Sequence, residues 1–233
     1  SIKMLDSGAS TPALKNLTYS AMTSTEKSWF DNKGSLMVQF GSLSPSNQAI
    51  ANNGDNLIRW LRGQQQYAND TIYRAYAQST ATPPSNFSGT WHAGIPIVLG
   101  DIDTAKPAYL RIPTKNYTMS GYGTFITANT SRPATVLAAA NDGMLHAFNA
   151  TNGDELWAYV PRITMPKLYK LASMDYPTNH QFTVDGSPEI ADVQIGGVWK
   201  TVLVAGLNAG GRGYYALDIT DPTNPKALWE FCA

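Results

Sequence analysis

One pattern constrains the fold of this chain more than any other. "TVLAAANDGMLHAFNATNGDELWAY" (135–159) lines up with "TVLVAGLNAGGRGYYALDITDPTNPKALWEF" (201–231). In each copy Thr-Val-Leu opens an apolar strand and a Gly-containing turn follows. A second strand carries an aromatic and Ala, and a last strand carries Leu-Trp. Phe148, Thr151 and Trp157 of the first copy match Tyr215, Thr220 and Trp229 of the second. The openings, Thr135 and Thr201, lie 66 residues apart, more than the roughly 40–50 of a propeller repeat. The excess is the insertion "RITMPKLYKLASMDYPTNHQFT" (162–183), read as a partly helical loop. A third, weaker copy is expected from "IPIVLGDIDTAKPAYLRI", compared with "DGSPEIADVQIGGVWKTVLV", which sets Asp101 opposite Asp192. Units of this kind read as blades of a β-propeller, each a small sheet packed face to face on its neighbours. The Trp near each blade's end would bury a large apolar area between blades. Residues 93–233 then hold about three blades. A closed ring needs about four to eight, so the chain is expected to be part of a longer one.

The pattern extends along the second half of the chain. Short apolar runs at 94–102, 107–113, 124–128, 135–140, 144–150, 155–161, 187–196, 198–207, 213–220 and 226–231 read as strands between turn signals. Residues 1–92 form a lead-in. Within it "SLMVQFGSL" (35–43) reads as a strand, with Leu36, Val38 and Phe40 on one face. "DNLIRWLRG" (55–63) reads as a helix near 55–62: Asp55 as N-cap, Leu57, Ile58 and Leu61 on one face, Gly63 at C′. A turn or two of helix is expected before it, from Ser46. The Pro/Ser/Gly-rich "ATPPSNFSGTW" (81–91) marks a boundary before the propeller residues 93–233. The expected fold is therefore all-β, a partial propeller with a short helical lead-in.

Charge and cysteine usage exclude several function classes. Lys plus Arg and Asp plus Glu are 17 each, so there is no basic footprint for nucleic acid or anionic membrane. The single cysteine, Cys232, cannot form a disulfide within the chain or a paired-Cys zinc site. No apolar run reaches the 18 residues of a membrane span. The opening "SIKMLDSGAS" lacks an apolar signal region, so any export signal is expected to be removed or to lie elsewhere.

Residues that invite a catalytic reading have plainer ones. His146 alternates with Met144 and Phe148 on one strand face and reads as a packed or hydrogen-bonded histidine. His92 and His180 are far away in sequence, with no Cys or carboxylate spacing for a metal. There is no Gly-x-Ser-x-Gly elbow for acyl chemistry. "GLNAGGRGYY" (206–215) is Gly-rich, but a phosphate loop needs a helix after it. It reads as a tight connection between strands, with Arg212 exposed to solvent and available for partner contact. Asn141, Asp142 and Gly143 suit a hairpin that needs positive φ.

The two copies, together with "LIRWLRG" and "GDIDTAKPAYL" in the same order, resemble the C-terminal propeller of the PilC/PilY family, type IV pilus biogenesis proteins and tip adhesins of Gram-negative bacteria. The resemblance covers 93–231, is weaker over 55–92 and stops there. It implies a non-enzymatic protein exported to the bacterial outer membrane and pilus tip. Such a protein would support pili against retraction, and its implied partners are minor pilins at the tip and a host-cell receptor. The family's calcium loop is an Asp-x-Asp-x-Asp-Gly-type run. "DIDTA" (101–105), "DNKGS" (31–35) and "DITDP" (218–222) all lack its ligand pattern. No cofactor is expected in this segment, and calcium only in the full-length protein. Within the insertion, Tyr169, Met174 and Tyr176 beside Lys167 and Lys170 are residue types enriched at interfaces and, with Arg212, are the expected partner contacts. The competing expectation is that the insertion buries its own apolar side chains as a cap.

The blade pattern A-x-D-G followed by G-x-x-x-W also resembles pyrroloquinoline-quinone-dependent dehydrogenases, where it docks adjacent blades. This points to a propeller of the quinoprotein-dehydrogenase-like type. Those enzymes need quinone and calcium ligands and commonly a vicinal Cys pair. With one Cys here, the motif supports the fold and not the redox reaction. An outer-membrane assembly scaffold shares the repeat, and "LIRWLRG" favours the pilus family over it.

Overall fold

The computed structural model describes residues 1–80, 82 and 93–232. In chain order its elements are β1 (Ile2–Leu5), β2 (Leu14–Asn16), α1 (Ser24–Ser28), α2 (Pro45–Ala51), α3 (Gly54–Leu61), β3 (Ala77–Gln78), β4 (Pro96–Ile97), β5 (Ala108–Leu110) and α4 (Tyr122–Ala128). There follow β6 (Thr135–Ala140), β7 (Met144–Asn149), β8 (Glu155–Val160), β9 (Glu189–Ile195), β10 (Val198–Gly206), β11 (Gly213–Asp218) and β12 (Lys226–Cys232), with a run of 3-10 helix over Arg162–Ala172 before β9. The chain divides into two compact units. Residues 1–17, 101–165 and 182–233 form one, and 18–100 with 166–181 form the other. The lead-in drawn at 1–92 and the insertion at 162–183 are therefore each shared between the units. Most of the boundary segment 81–91, and His92, lie outside the described residues.

The first unit is built from two sheets. One has the order β2-β1-β8-β7-β6-β5 and the other β12-β11-β10-β9. β5 to β8 and β9 to β12 are both antiparallel meanders, while β1 joins the edge of the first by pairing parallel to β8. The repeat is thus real and its register is fixed. Ala147 stands opposite Trp157 as Ala216 stands opposite Trp229, and each pair is followed by a register shift at the same place. That register corrects one equivalence: Phe148 corresponds to Leu217, and Tyr215 corresponds to His146. The described residues contain two four-stranded meanders instead of about three. Residues 107–113 supply β5, the first strand of the first meander, instead of a third copy, and Asp101 and Asp192 hold unrelated positions.

Side-chain alternation decides how the two sheets meet. Leu137, Ala139, Leu145, Ala147, Trp157 and Tyr159 of the first sheet pack with Leu203, Ala205, Tyr215 and Leu217 of the second in one buried cluster. Trp157 is 1% exposed and its Nε1 donates to Pro222 O at 2.7 Å. Trp229 does not share that burial: it is 44% exposed. It points to the side of the second sheet away from the first, so the expectation of two equivalently buried tryptophans is wrong for Trp229.

Two strand expectations also fail, each for a local reason. "TFITA" is β-branched, yet 122–128 is helical. Period-three spacing turns Tyr122 and Phe125 onto Trp199, and Trp199 Nε1 donates to Ser120 O at 2.9 Å. "SLMVQFGSL" forms two 3-10 turns, Lys33–Leu36 and Phe40–Ser42. There Met37 is buried while Leu36 and Val38 are exposed, the reverse of the expected face. Gly34 explains part of this, because a Cβ at that position would sit 2.5 Å from the Ala51 carbonyl.

The second unit packs around α3. Its cap is Asn53, whose Oδ1 accepts from Asp55 N and Asn56 N, and not Asp55 itself. Gly63 at φ 81 does close the helix as expected. Leu57, Ile58 and Leu61 are buried as predicted, and so is Trp60, which stacks on Tyr76 at 4.9 Å. α2, capped by Ser44, is the helix expected near Ser46.

Candidate functional site

The predicted contact residues fall in both units, and each is described within its own. In the second unit the 166–181 segment is stitched to its neighbours by polar contacts. Arg74 Nε donates to Leu171 O at 3.0 Å, Gln39 Nε2 to Ala172 O at 3.3 Å, and Met174 N to Gln39 Oε1 at 3.2 Å. Leu168 and Leu171 are buried. Tyr176 lies under the Arg74 guanidinium, 4.6 Å from its ring centre, and Tyr169 and Met174 are half-buried. The apolar side chains of the insertion thus serve packing, while Tyr169, Met174 and Tyr176 keep part of their surface open.

In the first unit Arg212 is exposed, on the β10–β11 connection. That connection is Gly-rich for steric reasons. A Cβ on Gly210 would lie 1.7 Å from Thr183 O, and Gly211 takes φ 145. No helix follows it; β11 does. Arg212 lines a cavity of about 320 Å³ with Leu207, Asn208, Tyr214 and Phe231. Tyr214 and Phe231 continue from the cavity onto the outward face of the second sheet. On that face Ile195 is 43%, Val198 60%, Tyr214 56% and Phe231 59% exposed, beside Trp229. The corresponding face of the first sheet, with Trp157, is covered by the second sheet, so this is the face on which a propeller stacks its next sheet. The repeat points Trp229 to an inter-blade face, and strand alternation does not show which faces are covered.

His146 is a packed, hydrogen-bonded residue, as its strand position suggests. It is 5% exposed and lies between two carboxylates. Its Nδ1 meets Glu155 Oε1 at 2.6 Å and its Nε2 meets Asp142 Oδ2 at 3.0 Å. Burial opposes its charge, but Asp142 and Glu155 outweigh that and raise its pKa to about 9. The hydrogen bond from His146 holds Glu155 below its ordinary value. With both nitrogens occupied, the ring has no free atom for proton transfer to a substrate. Where the two sheets meet, Glu230 accepts from Tyr159 Oη and from Arg162 N. Burial raises Glu230 and holds the Tyr159 phenol well above its ordinary value. Among the described residues no group of three or more His, Cys, Asp or Glu could hold a metal ion, and no helix is long and apolar enough to cross a membrane.

The two-sheet repeat has counterparts among known proteins. Residues 97–233 match the family model of the PilY1 beta-propeller domain. The chain belongs to the PilY1 propeller family. It is 34% identical over 98% of its length to the type IV pilus biogenesis factor PilY1 of Pseudomonas aeruginosa, covering 18% of that protein. A PilY1 homolog of Xylella fastidiosa is 42% identical over 57% of the chain, covering 11% of that protein. The crystal structure of the P. aeruginosa PilY1 C-terminal domain is 40% identical over 54% of the chain and 25% of that domain's chain, with a TM-score of 0.43. The chain thus spans less than a fifth of the relatives it matches.

Proposed function

We propose that this chain serves type IV pilus biogenesis by binding partners, not by catalysis. Its relatives carry the pilus biogenesis name. The observation that carries the binding reading is that Arg212, on the β10–β11 connection, and Tyr169, Met174 and Tyr176 of the insertion keep part of their surface open to a partner. In this reading the protein is exported, acts at the outer membrane and pilus tip, and contacts minor pilins and a host surface. Through them it supports assembly against retraction and attachment. His146, tied at both nitrogens, and the structural role of the Gly-rich connection support a non-catalytic protein. Calcium would act only through residues of the full-length protein.

The test is genetic. Arg212→Glu and Tyr169→Ala alter partly or fully exposed side chains and should leave the protein's level unchanged. Loss of surface pili or of attachment in strains carrying them supports the reading. Normal piliation and attachment with both variants would remove these residues from the partner surface.

A further inference from the structure

We propose that the cavity beside the first turn of α3 is a binding site for a neutral oligosaccharide. It has a volume of about 980 Å³ and is lined by residues from 18–64, all within the second unit. That size suits a ligand of several rings. The lining is unlike a pocket for an apolar molecule, because Ala49 and Ile58 are its aliphatic members and the rest is hydroxyl, amide, carboxylate and guanidinium.

The polar groups are held in place by bonds that leave their other atoms available. Asn52 accepts from Ser35 N through Oδ1 at 2.9 Å, which fixes its amide plane and leaves the Nδ2 donor. Asn53 caps α3 through Oδ1, with Asp55 N at 2.9 Å and Asn56 N at 3.2 Å, and it too keeps Nδ2. Tyr19 Oη donates to both Asp31 oxygens at 2.9 Å, leaving that carboxylate lone pairs to accept further bonds. Arg59 spends Nε on Asp55 at 2.8 Å and keeps its terminal nitrogens. Gly54 makes the arrangement possible: a Cβ there would stand 2.4 Å from Asp31 Oδ1 and 2.8 Å from the Tyr19 ring. Lys27 covers the Tyr19 ring at 4.9 Å and pins it further.

Fixed amide donors, a fixed carboxylate and a guanidinium, side by side, match adjacent sugar hydroxyls, each of which both donates and accepts. Charge sets the class. Asp31 and Asp55 balance Arg59 and Arg62 in the lining, so nothing favours a sialylated or sulfated sugar over a neutral one. Peptide side chains would want larger apolar subsites than Ala49, Ile58 and the Tyr19 ring provide.

The chain is applied to immobilised galactose-, glucose- and mannose-terminated oligosaccharides, beside their sialylated and sulfated forms. Binding to a neutral series, at least as strong as to its charged forms, is expected. Asn52→Asp with Asn53→Asp keeps each acceptor oxygen, and with it the α3 cap, while removing both donors. This variant should lose about tenfold or more in retention at an unchanged Tm. Should that pair unfold, Arg62→Ala, at an exposed side chain, should weaken retention in a folded protein. No retention of any neutral sugar, preference for a charged one, or equal retention by folded variants would overturn the site. None of these readouts involves pili, so the sugar site and the pilus role fail or stand separately.

Discussion

The two sheets of the first unit carry the same register and differ in what covers them. In the first, the face bearing Leu137, Leu145, Trp157 and Tyr159 is buried against the second. In the second, the corresponding positions are Val204, Tyr214, Trp229 and Phe231, and three of these are 44–59% exposed. Sequence similarity therefore preserved the strand pattern and the direction each side chain points. It did not determine solvent exposure, which depends on what lies against the face. The residue types follow: the covered face is aliphatic with one Trp and one Tyr, while the open face keeps the aromatics against which a further sheet of a propeller packs.

The contrast is broken most sharply at Trp157. Trp157→Ala should cost about 3–5 kcal/mol, because it removes a fully buried indole and its bond to Pro222. Denaturant unfolding that matches the unsubstituted chain would mean that the sheets do not pack through this residue. The next effect separates the sheets by pH. His146 and Tyr215 occupy corresponding positions, one ionisable near neutrality and one not. The folded pKa of His146, about 9, lies above its ordinary 6.5. Its contribution is therefore complete below pH 6.5 and is lost as pH rises through 9. The loss should be on the order of 3 kcal/mol. His146→Gln should flatten the Tm profile over that window, and a flat profile before substitution would refute the clamp between Asp142 and Glu155.

Much of the first unit was legible in the sequence, because its strands alternate and the Thr-Val-Leu to Leu-Trp pattern repeats. β6, β7, β8 and β10 to β12 sit within a few residues of their predicted spans. The second unit was less legible. Its 3-10 turns around Met37 answer to Gly34 meeting Ala51 and to Gln39 bonding Ile72 O and Ala172 O, contacts distant in sequence. α4 was mistaken for a strand because Thr124, Ile126 and Thr127 favour strands locally, while Tyr122 and Phe125 are claimed by Trp199. Asn53 displaced Asp55 as cap because capping depends on backbone dihedrals as much as on residue type. As for partner contacts, interface-type composition singled out the insertion. It could not reveal that Leu168 and Leu171 are consumed in packing while Arg212 stays free on a strand connection.

The smallest expected effect tests the other half of the comparison. Trp229→Ala removes the same side chain from the corresponding register position, but from a face where the indole is 44% exposed. Partly exposed positions without buried polar partners typically change stability by about 0.5 kcal/mol or less, and the loss of contact with Ala216 and its neighbours adds little to that. In this chain the substitution should shift the unfolding midpoint only slightly, several-fold less than Trp157→Ala. Iodide should quench fluorescence lost on substituting Trp229, and should barely quench the part lost on substituting Trp157. A cost for Trp229→Ala equal to that for Trp157→Ala would show that the outward face is covered in solution, as self-association of the chain through that face would do. Sedimentation of the unsubstituted and Trp229→Ala chains at several concentrations would then distinguish a dimer that dissociates on substitution from a monomer whose second sheet is buried in some other way.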